Sequence, residues 1–287
     1  PFEDAVSPEL VTSARALALG NAYMSKVDDG WSAFYNPAGL GTVRGLQFHP
    51  LNIHVETNNG FLDITGGSGA ITNSISNYSN AFDATALRDL HAETPGRISH
   101  ARLQIFPNMT YRGITLGYMY AQQNRSRLAT ASSDFEIAER VDSGPVMALS
   151  LSLFGGIIKI GGSAVYLTRK ELQKDFAPTD QISIDAETDY KRGSMTHLTM
   201  GLRLTAPIAA LPTFSAVLRN SSAVEFDSAD FGGLPNEIPQ TVDYSFSITP
   251  NLGRTFRLHW EIAQKDVGGR YDNVPAQRKL MTGIEFD

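Results

Sequence analysis

The 287-residue chain contains no cysteine. That removes thiolate nucleophiles, thiolate metal sites, Fe–S clusters and any disulfide framework together. It has no run of about 18 apolar residues, so no helix of this sequence can cross a bilayer, although barrel strands leave no such run. Basic charge is also scarce: 24 Lys and Arg against 30 Asp and Glu give a formal charge of −6. With no Lys/Arg-rich block, no nucleic-acid partner is expected, because neutralising phosphates needs clustered cations. No G-x-S-x-G elbow is present, and Gly66-Gly67-Ser68-Gly69 lacks the lysine and the strand–loop–helix setting of a phosphate loop. None of the six histidines (His49, His54, His91, His100, His197, His259) is spaced for a helical zinc site. His197 and His259 share polar faces of different strands, which leaves a metal or acid–base pair open. Asp175, Asp180, Asp185 and Glu187 fall in long loops, where they bind calcium or a partner, or serve only as a solvated acidic surface. The expectation is a protein without cofactor, without metal and without enzymatic activity.

Period-two alternation is abundant, and it belongs to strands with one apolar and one polar face. Phe256, Leu258, Trp260 and Ile262 oppose Arg257, His259 and Glu261. Leu198, Met200, Leu202 and Leu204 oppose His197, Thr199, Gly201 and Arg203, while Val242, Tyr244, Phe246 and Ile248 oppose Asp243, Ser245 and Ser247. Ten strands are predicted: Gly45 to Glu56, Ser99 to Thr110, Gly113 to Gln123, Pro145 to Phe154, Ile157 to Arg169, Gly193 to Ala206, Pro212 to Ser221, Pro239 to Thr249, Gly253 to Lys265 and Pro275 to Asp287. Most are long beside a globular strand of about five or six residues.

The connections alternate in length. Tyr111-Arg112, Gly155-Gly156, Pro207 to Leu211 and Pro250 to Leu252 are short. Thr57 to Ile98, Asn124 to Gly144, Lys170 to Arg192, Ser222 to Ile238 and Asp266 to Val274 are long and polar. Such parity is what an all-β, antiparallel up-and-down barrel with one tight rim and one elaborated rim produces. A soluble barrel and a membrane barrel share the alternation; strand length and loop parity favour the membrane. The charged faces, with Arg102, Lys159, His197, Arg203, Asp243, Arg257, His259 and Glu261, then line a lumen. Tyr118, Tyr120, Tyr166, Trp260 and Phe256 become candidates for lipid-facing or girdle positions. Within the first long loop, a short helix is expected over Ala81 to Glu93, ended by Thr94-Pro95.

Ahead of the first strand the texture changes. Ser13 to Tyr23 is small and helix-permissive, Asp28-Asp29-Gly30 follows, and a second helical run reaches Tyr35. Ser13 or Asp29 suits an N-cap, and Pro37 forces a break by removing a donor and disfavouring helix at Asn36. A prelude of this kind can fill a lumen. The chain starts at Pro1 without a basic-then-apolar leader and stops in mid-alternation, so a sequence trimmed at both ends is expected.

Ser13 to Gly41 resembles the amino-terminal signature of FadL-like and PorV-like outer-membrane barrels. The matching positions are Ala14, Arg15, Ala16, Leu17, Gly20, Asn21, Ala22, Asp28, Asp29, Asn36, Pro37, Ala38, Gly39 and Leu40. The resemblance implies a barrel of the Gram-negative outer membrane with about fourteen strands, of which ten are legible here. It also implies an amino-terminal hatch over residues 1–44, gated around Asp28, Asp29, Asn36, Pro37 and Ala38, with the barrel over 45–287. FadL-like members pass hydrophobic molecules such as long-chain fatty acids; PorV-like members are partners of secretion or surface-export machinery. The expected partners are outer-membrane lipid and lipopolysaccharide, a small hydrophobic or amphipathic substrate, and other envelope proteins.

Overall fold

The computed structural model describes residues 9–66, 78–227, 232–250, 257–267 and 277–286. Twelve antiparallel strands form one sheet: β1 (Leu46–His49), β2 (Ile53–Thr57), β3 (Ile98–Ile105), β4 (Asn108–Tyr111), β5 (Ile114–Leu128), β6 (Phe135–Leu153), β7 (Ile158–Phe176), β8 (Lys191–Thr205), β9 (Thr213–Arg219), β10 (Thr241–Ile248), β11 (Leu258–Val267) and β12 (Gln277–Phe286). They make ten crossings, because β1 with β2 and β3 with β4 are each one broken passage. β1 pairs β4 and β2 pairs β3, and the breaks fall at the same level. Pro50 and Pro107 cause them, since proline has no ladder donor; Asn52 takes up the bend with φ 42°.

From β5 onward each strand pairs with the next, an up-and-down order. The sheet is wrapped: residues 9–44 lie on one face of it and touch every crossing, from Gln47 and Glu56 on the first to Glu285 on the last. A flat sheet could not bring ten strands to one short segment. Among the described residues the first and last crossings do not pair with each other. Arg15 stands against Glu285 on β12, and the Asp28 carbonyl accepts from Gln47 Nε2 on β1, so both edges end on the same few residues.

The burial pattern is inverted relative to a protein dissolved in water. Inward positions are charged or polar yet buried, including Arg102, Asp142, Arg169, Asp243, His259 and Glu261. Outward positions are apolar yet exposed, with Leu151 at 64%, Met200 at 57% and Tyr166 at 55%. Apolar surface of this extent is stable only with lipid outside. The band has an upper limit. On β5 the outward residues are Ile114, Leu116, Tyr118 and Tyr120, and then Gln122, which bonds Tyr120 and Glu139 at 2.9 Å each; Tyr190 donates to Glu139 at 2.7 Å. Ile114 to Gln122 is nine residues, what a tilted strand needs to cross a hydrocarbon core of about 30 Å. Tyr120 therefore sits at the girdle, Tyr118 and Tyr166 face lipid nearer the middle of the band, and Trp260 also faces outward, donating to Thr282 Oγ1. Phe256 lies outside the described residues, as do Gly253 and Pro275, the expected starts of the last two strands.

Three expectations need correction. β5, β6 and β7 run beyond the predicted strands, so the connection expected over Asn124 to Gly144 shrinks to 129–134 and the next to 177–190. These extensions rise past the lipid band, where outward Gln122, Glu139 and Lys170 interrupt the apolar row before it resumes at the strand ends. Strict short–long parity is accordingly weakened: 206–212 on the tight rim is longer than 129–134 on the other. The helical segments are also shorter or divided. α1 (Ala14–Ala18) ends at Gly20 and Asn21, both in the left-handed region, and α2 is only Ser32–Tyr35. The first long loop carries α3 (Asn59–Gly66), which was not anticipated, and α4 (Ala84–Glu93) capped by Asp83 through Thr85 and Ala86 N–H. Leu87 of α4 and Ile64 of α3 cluster with Leu128, Phe135, Ile137 and Phe176. Those four share the outward parity of their strands, so the loop folds back over the outer side of the strand ends.

Candidate functional site: a plugged lumen

The plug is short, yet it is held on every side. Its polar flank meets β9 to β12. Met24 and Ser25 N–H groups both donate to Glu261 Oε1 at 2.9 Å, and Ser25 Oγ lies 3.0 Å from Ser215 Oγ and 2.8 Å from Ser245 Oγ. Arg15 forms a bidentate pair with Glu285 at 2.8 and 3.0 Å and also reaches Asp28 at 2.8 Å. Arg219 binds Asp243 at 2.7 Å and donates to the Phe34 carbonyl, which ties wall to plug. Lys265 pairs with Glu9 at 2.9 Å, and Arg102 donates to the carbonyls of Glu9 and Leu10 at 3.0 and 2.6 Å. Buried pairs of this kind add little net stability, since desolvation offsets attraction. Their effect is positional, because removing one partner leaves a buried charge.

The opposite flank is apolar. Trp31 and Phe34 each pack 5.1 Å from the ring of Phe106, which the Pro107 break aims inward. Tyr23, Val27, Tyr35 and Leu40 join Met119, Val146, Val165, Leu167 and Met195 in one buried cluster. The wall facing Trp31 to Leu40 thus carries an apolar patch on β5 to β8, bounded on the same strands by the inward charges of Asp142, Arg169, Lys159 and Arg203, while β9 to β12 meet the plug through polar groups.

Between the two flanks the Asn36-Pro37-Ala38 turn lies on bare backbone. Gly161 and Gly201 face inward directly opposite each other on β7 and β8. A Cβ at Gly161 would stand 2.4 Å from Pro37 C, and one at Gly201 2.1 Å from Asn36 Oδ1. Asn36 accepts from Ala38 N–H at 3.1 Å, opening the turn of 3-10 helix over Pro37–Thr42, and its Nδ2 donates to the Met24 carbonyl at 3.1 Å and that of Leu202 at 3.4 Å. The expected break at Asn36 is present.

The acidic pair divides its work: Asp28 faces Arg15, while Asp29 accepts from Trp31 N–H at 2.9 Å and from Tyr23 Oη at 3.3 Å. Burial holds the Asp29 carboxyl above its ordinary value, partly countered by the Trp31 N–H. Ser13 precedes α1 without a side-chain cap bond.

Arg102, Lys159, His197, Arg203, Asp243, His259 and Glu261 all take inward positions. Arg257 shares their parity but is exposed at the start of β11, away from the buried set. His197 and His259 do not form a pair: His197 borders a cavity with Arg219 and Asp243, and His259 bonds Thr249 at 2.9 Å and Glu261 at 3.4 Å. Among the described residues no group of His, Asp or Glu is placed to hold a metal. Asp142 and Arg169, a buried bidentate pair at 2.7 and 3.0 Å, were not anticipated, and neither were Ser25, Glu9, Gly161 and Gly201. The glycines carried a signal, since glycine inside a strand marks close approach of another backbone.

Two cavities adjoin the plug among the described residues. One of about 100 Å³ lies between plug and wall, lined by Glu9, Tyr35, His197, Arg219, Asp243 and Lys265. The other, about 490 Å³, lies at the tight-turn rim.

Fold and lumen together define a class: a plugged, membrane-spanning, antiparallel β-barrel. No family model matches the chain, and no curated protein matches it. Among solved structures it is similar to the crystal structure of a Pseudomonas aeruginosa FadL homologue, at 10% identity over 97% of this chain and 86% of that one, with a TM-score of 0.36. A likeness of that degree says nothing of a shared ligand.

Proposed function

We propose that this chain is a barrel of the Gram-negative outer membrane that passes small hydrophobic or amphipathic molecules, with residues 1–44 as hatch and 45–287 as barrel wall. The observation that carries the reading is the two-sided plug. It meets β9 to β12 through hydrogen bonds that water can replace, and it leaves one cavity between itself and the wall and another at its end by the tight-turn rim. A plug seated that way can be displaced without unpairing a strand. An amphipathic solute would find the apolar patch of Met119, Val146, Val165, Leu167 and Met195 in the vacated lumen, among charged and polar groups.

A second reading, a non-conducting partner or scaffold for other envelope proteins, draws on a different observation: the plug contacts all ten crossings, and the cavity between it and the wall of β8 to β11 is only about 100 Å³. The absence of cysteine makes a clean test. Ser25→Cys with Ser245→Cys, whose hydroxyls lie 2.8 Å apart, places the chain's only two thiols within disulfide range across plug and wall. In liposomes, oxidation should block solute flux and reduction should restore it. Flux that is absent in the wild type and in both redox states of the variant, with a partner recovered from native membranes, would replace transport by the scaffold reading.

A further inference from the structure

The cavity at the tight-turn rim is the larger of the two, and its charge is one-sided. It is bordered by Val43 and Arg44 at the end of the plug, by Arg112 at the tip of the β4–β5 turn, and by Ser150, Leu151 and Ser152 on β6. Lys159 runs alongside: a Cβ on Gly41, itself on the lining, would meet Lys159 Cδ at 3.0 Å and Ser150 Oγ at 3.1 Å. Ser152 pairs across the ladder with Lys159, and Lys159 in turn with Arg203.

Two cations directly opposite each other on one face repel unless something offsets them. Arg203 and Arg44 are the charged neighbours of Lys159. Its ammonium donates to the Gly156 carbonyl at 2.8 Å, a neutral partner that leaves the charge uncancelled. Arg203 Nε and Nη1 are buried without a hydrogen-bond partner. Arg203 is offset in part by the Glu261 and Asp28 carboxylates, of which Asp28 is already paired with Arg15, and neither acts on Lys159. Among the described residues no salt bridge joins Arg44, Arg112, Lys159 or Arg203 to an acid.

From this placement we infer that the tight-turn mouth of the lumen is a binding site for a phosphate-bearing ligand with a small organic body. Arg44 and Arg112 on the lining, with Lys159 beside it and none of the three in a salt bridge among the described residues, call for a multiply charged anion, and guanidinium groups suit phosphate oxygens through paired N–H donors. At about 490 Å³ the space lies within the ~300–1,000 Å³ typical of organic-ligand pockets. Val43 supplies an apolar side, and Ser152 supplies a hydroxyl donor. The position at the rim of the lipid band admits two sources, the headgroup of an anionic phospholipid or a soluble phosphate ester. The site stands independently of whether the barrel conducts.

The test uses the whole chain purified in a neutral detergent, with two probes: phosphatidylglycerol, followed as retained lipid by native mass spectrometry, and radiolabelled glycerol 3-phosphate, followed by equilibrium dialysis. The variant is Arg44→Gln with Arg112→Gln, two exposed side chains outside the wall, and Lys170→Gln on the outer side of β7 is the control for unspecific charge. At least one probe should bind the wild type and the control alike and lose tenfold or more in affinity in the double variant. Retention of phosphatidylglycerol alone assigns the site to a membrane lipid; binding of glycerol 3-phosphate assigns it to a soluble ester. If neither probe binds, or if the double variant binds both as the wild type does, the site is refuted. Heat-modified electrophoretic mobility checks that the double variant is folded, and Arg112→Gln alone provides a milder second test with a partial loss expected.

Discussion

Adding one methyl group at Gly161 should unseat the plug while leaving the barrel intact. Its Cβ would fall 2.4 Å from Pro37 C, 2.6 Å from Ala38 N and 2.6 Å from Pro37 O. All three are backbone atoms, so no side chain can rotate away and the turn itself must retreat by about 1 Å to reach ordinary contact. Overpacking of this kind costs about 1–3 kcal/mol. The retreat also strains the bonds of Asn36 to Ala38 N–H and to the Met24 and Leu202 carbonyls, and losing such a cap costs about 1 kcal/mol. Together they amount to about 2–4 kcal/mol, or roughly 30-fold to 1,000-fold in the ratio of seated to unseated plug. The adjacent Gly162 provides the control, since it faces outward and its Cβ would meet nothing closer than the Thr199 carbonyl oxygen at 3.9 Å. Ser25 is fully buried, so a Ser25→Cys reporter in this cysteine-free chain reads plug opening through its rate of maleimide modification. Gly161→Ala should accelerate labelling at least 30-fold while Gly162→Ala leaves it within about twofold. Equal labelling in the two variants would refute the seating of Asn36-Pro37-Ala38 on the Gly161–Gly201 pair.

Other outcomes follow from the same coordinates. Met200→Arg, at an exposed outward position inside the lipid band, should destabilise the folded barrel by about 2–4 kcal/mol in a vesicle-folding titration, whereas Ser150→Thr on the inner face should change it little; equal tolerance would invert the assignment of faces. A tag inserted at Pro178, in the 177–190 loop, should be labelled on intact cells and one at Gly156 should not; the reverse would turn the barrel over. His91 of α4 is buried against Ser126 and Phe135, and burial holds its imidazole down to about 4. The neutral form is therefore the one that docks. Docking is at full strength above the unfolded value near 6.5 and weakens as pH falls from there toward 4, by up to about 2 kcal/mol at pH 5. The protection of amides across 84–93, taken relative to the intrinsic exchange rate at each pH, should fall by up to about 30-fold between pH 7 and 5 in the wild type, and a His91→Phe variant should lack that fall.

The identity of this protein as a barrel was written along the chain, because period-two alternation is a local property and each strand carries its own copy. Leu198 to Leu204 against His197 to Arg203 announces a two-faced strand without reference to any neighbour. The break at Pro37 and the plug's small residues are local in the same sense, fixed by a missing donor and by side-chain volume. Tertiary structure decided what alternation cannot encode. Which face looks inward is the same pattern read either way, and it is settled only by the buried charges of Asp142, Glu261 and Arg169 against the exposed Leu151 and Met200. Ends of long strands are hidden in the sequence because Gln122, Glu139 and Lys170 interrupt the apolar outward rows of β5, β6 and β7 before they resume at Leu128, Phe135, Ile137 and Phe176, which breaks the period without ending the ladder. The partners of the plug lay furthest from view. Arg15 meets Glu285 and Ser25 meets Ser245 across more than two hundred residues of chain, contacts that exist only once the sheet has curled around the segment and brought its two edges to the same few side chains.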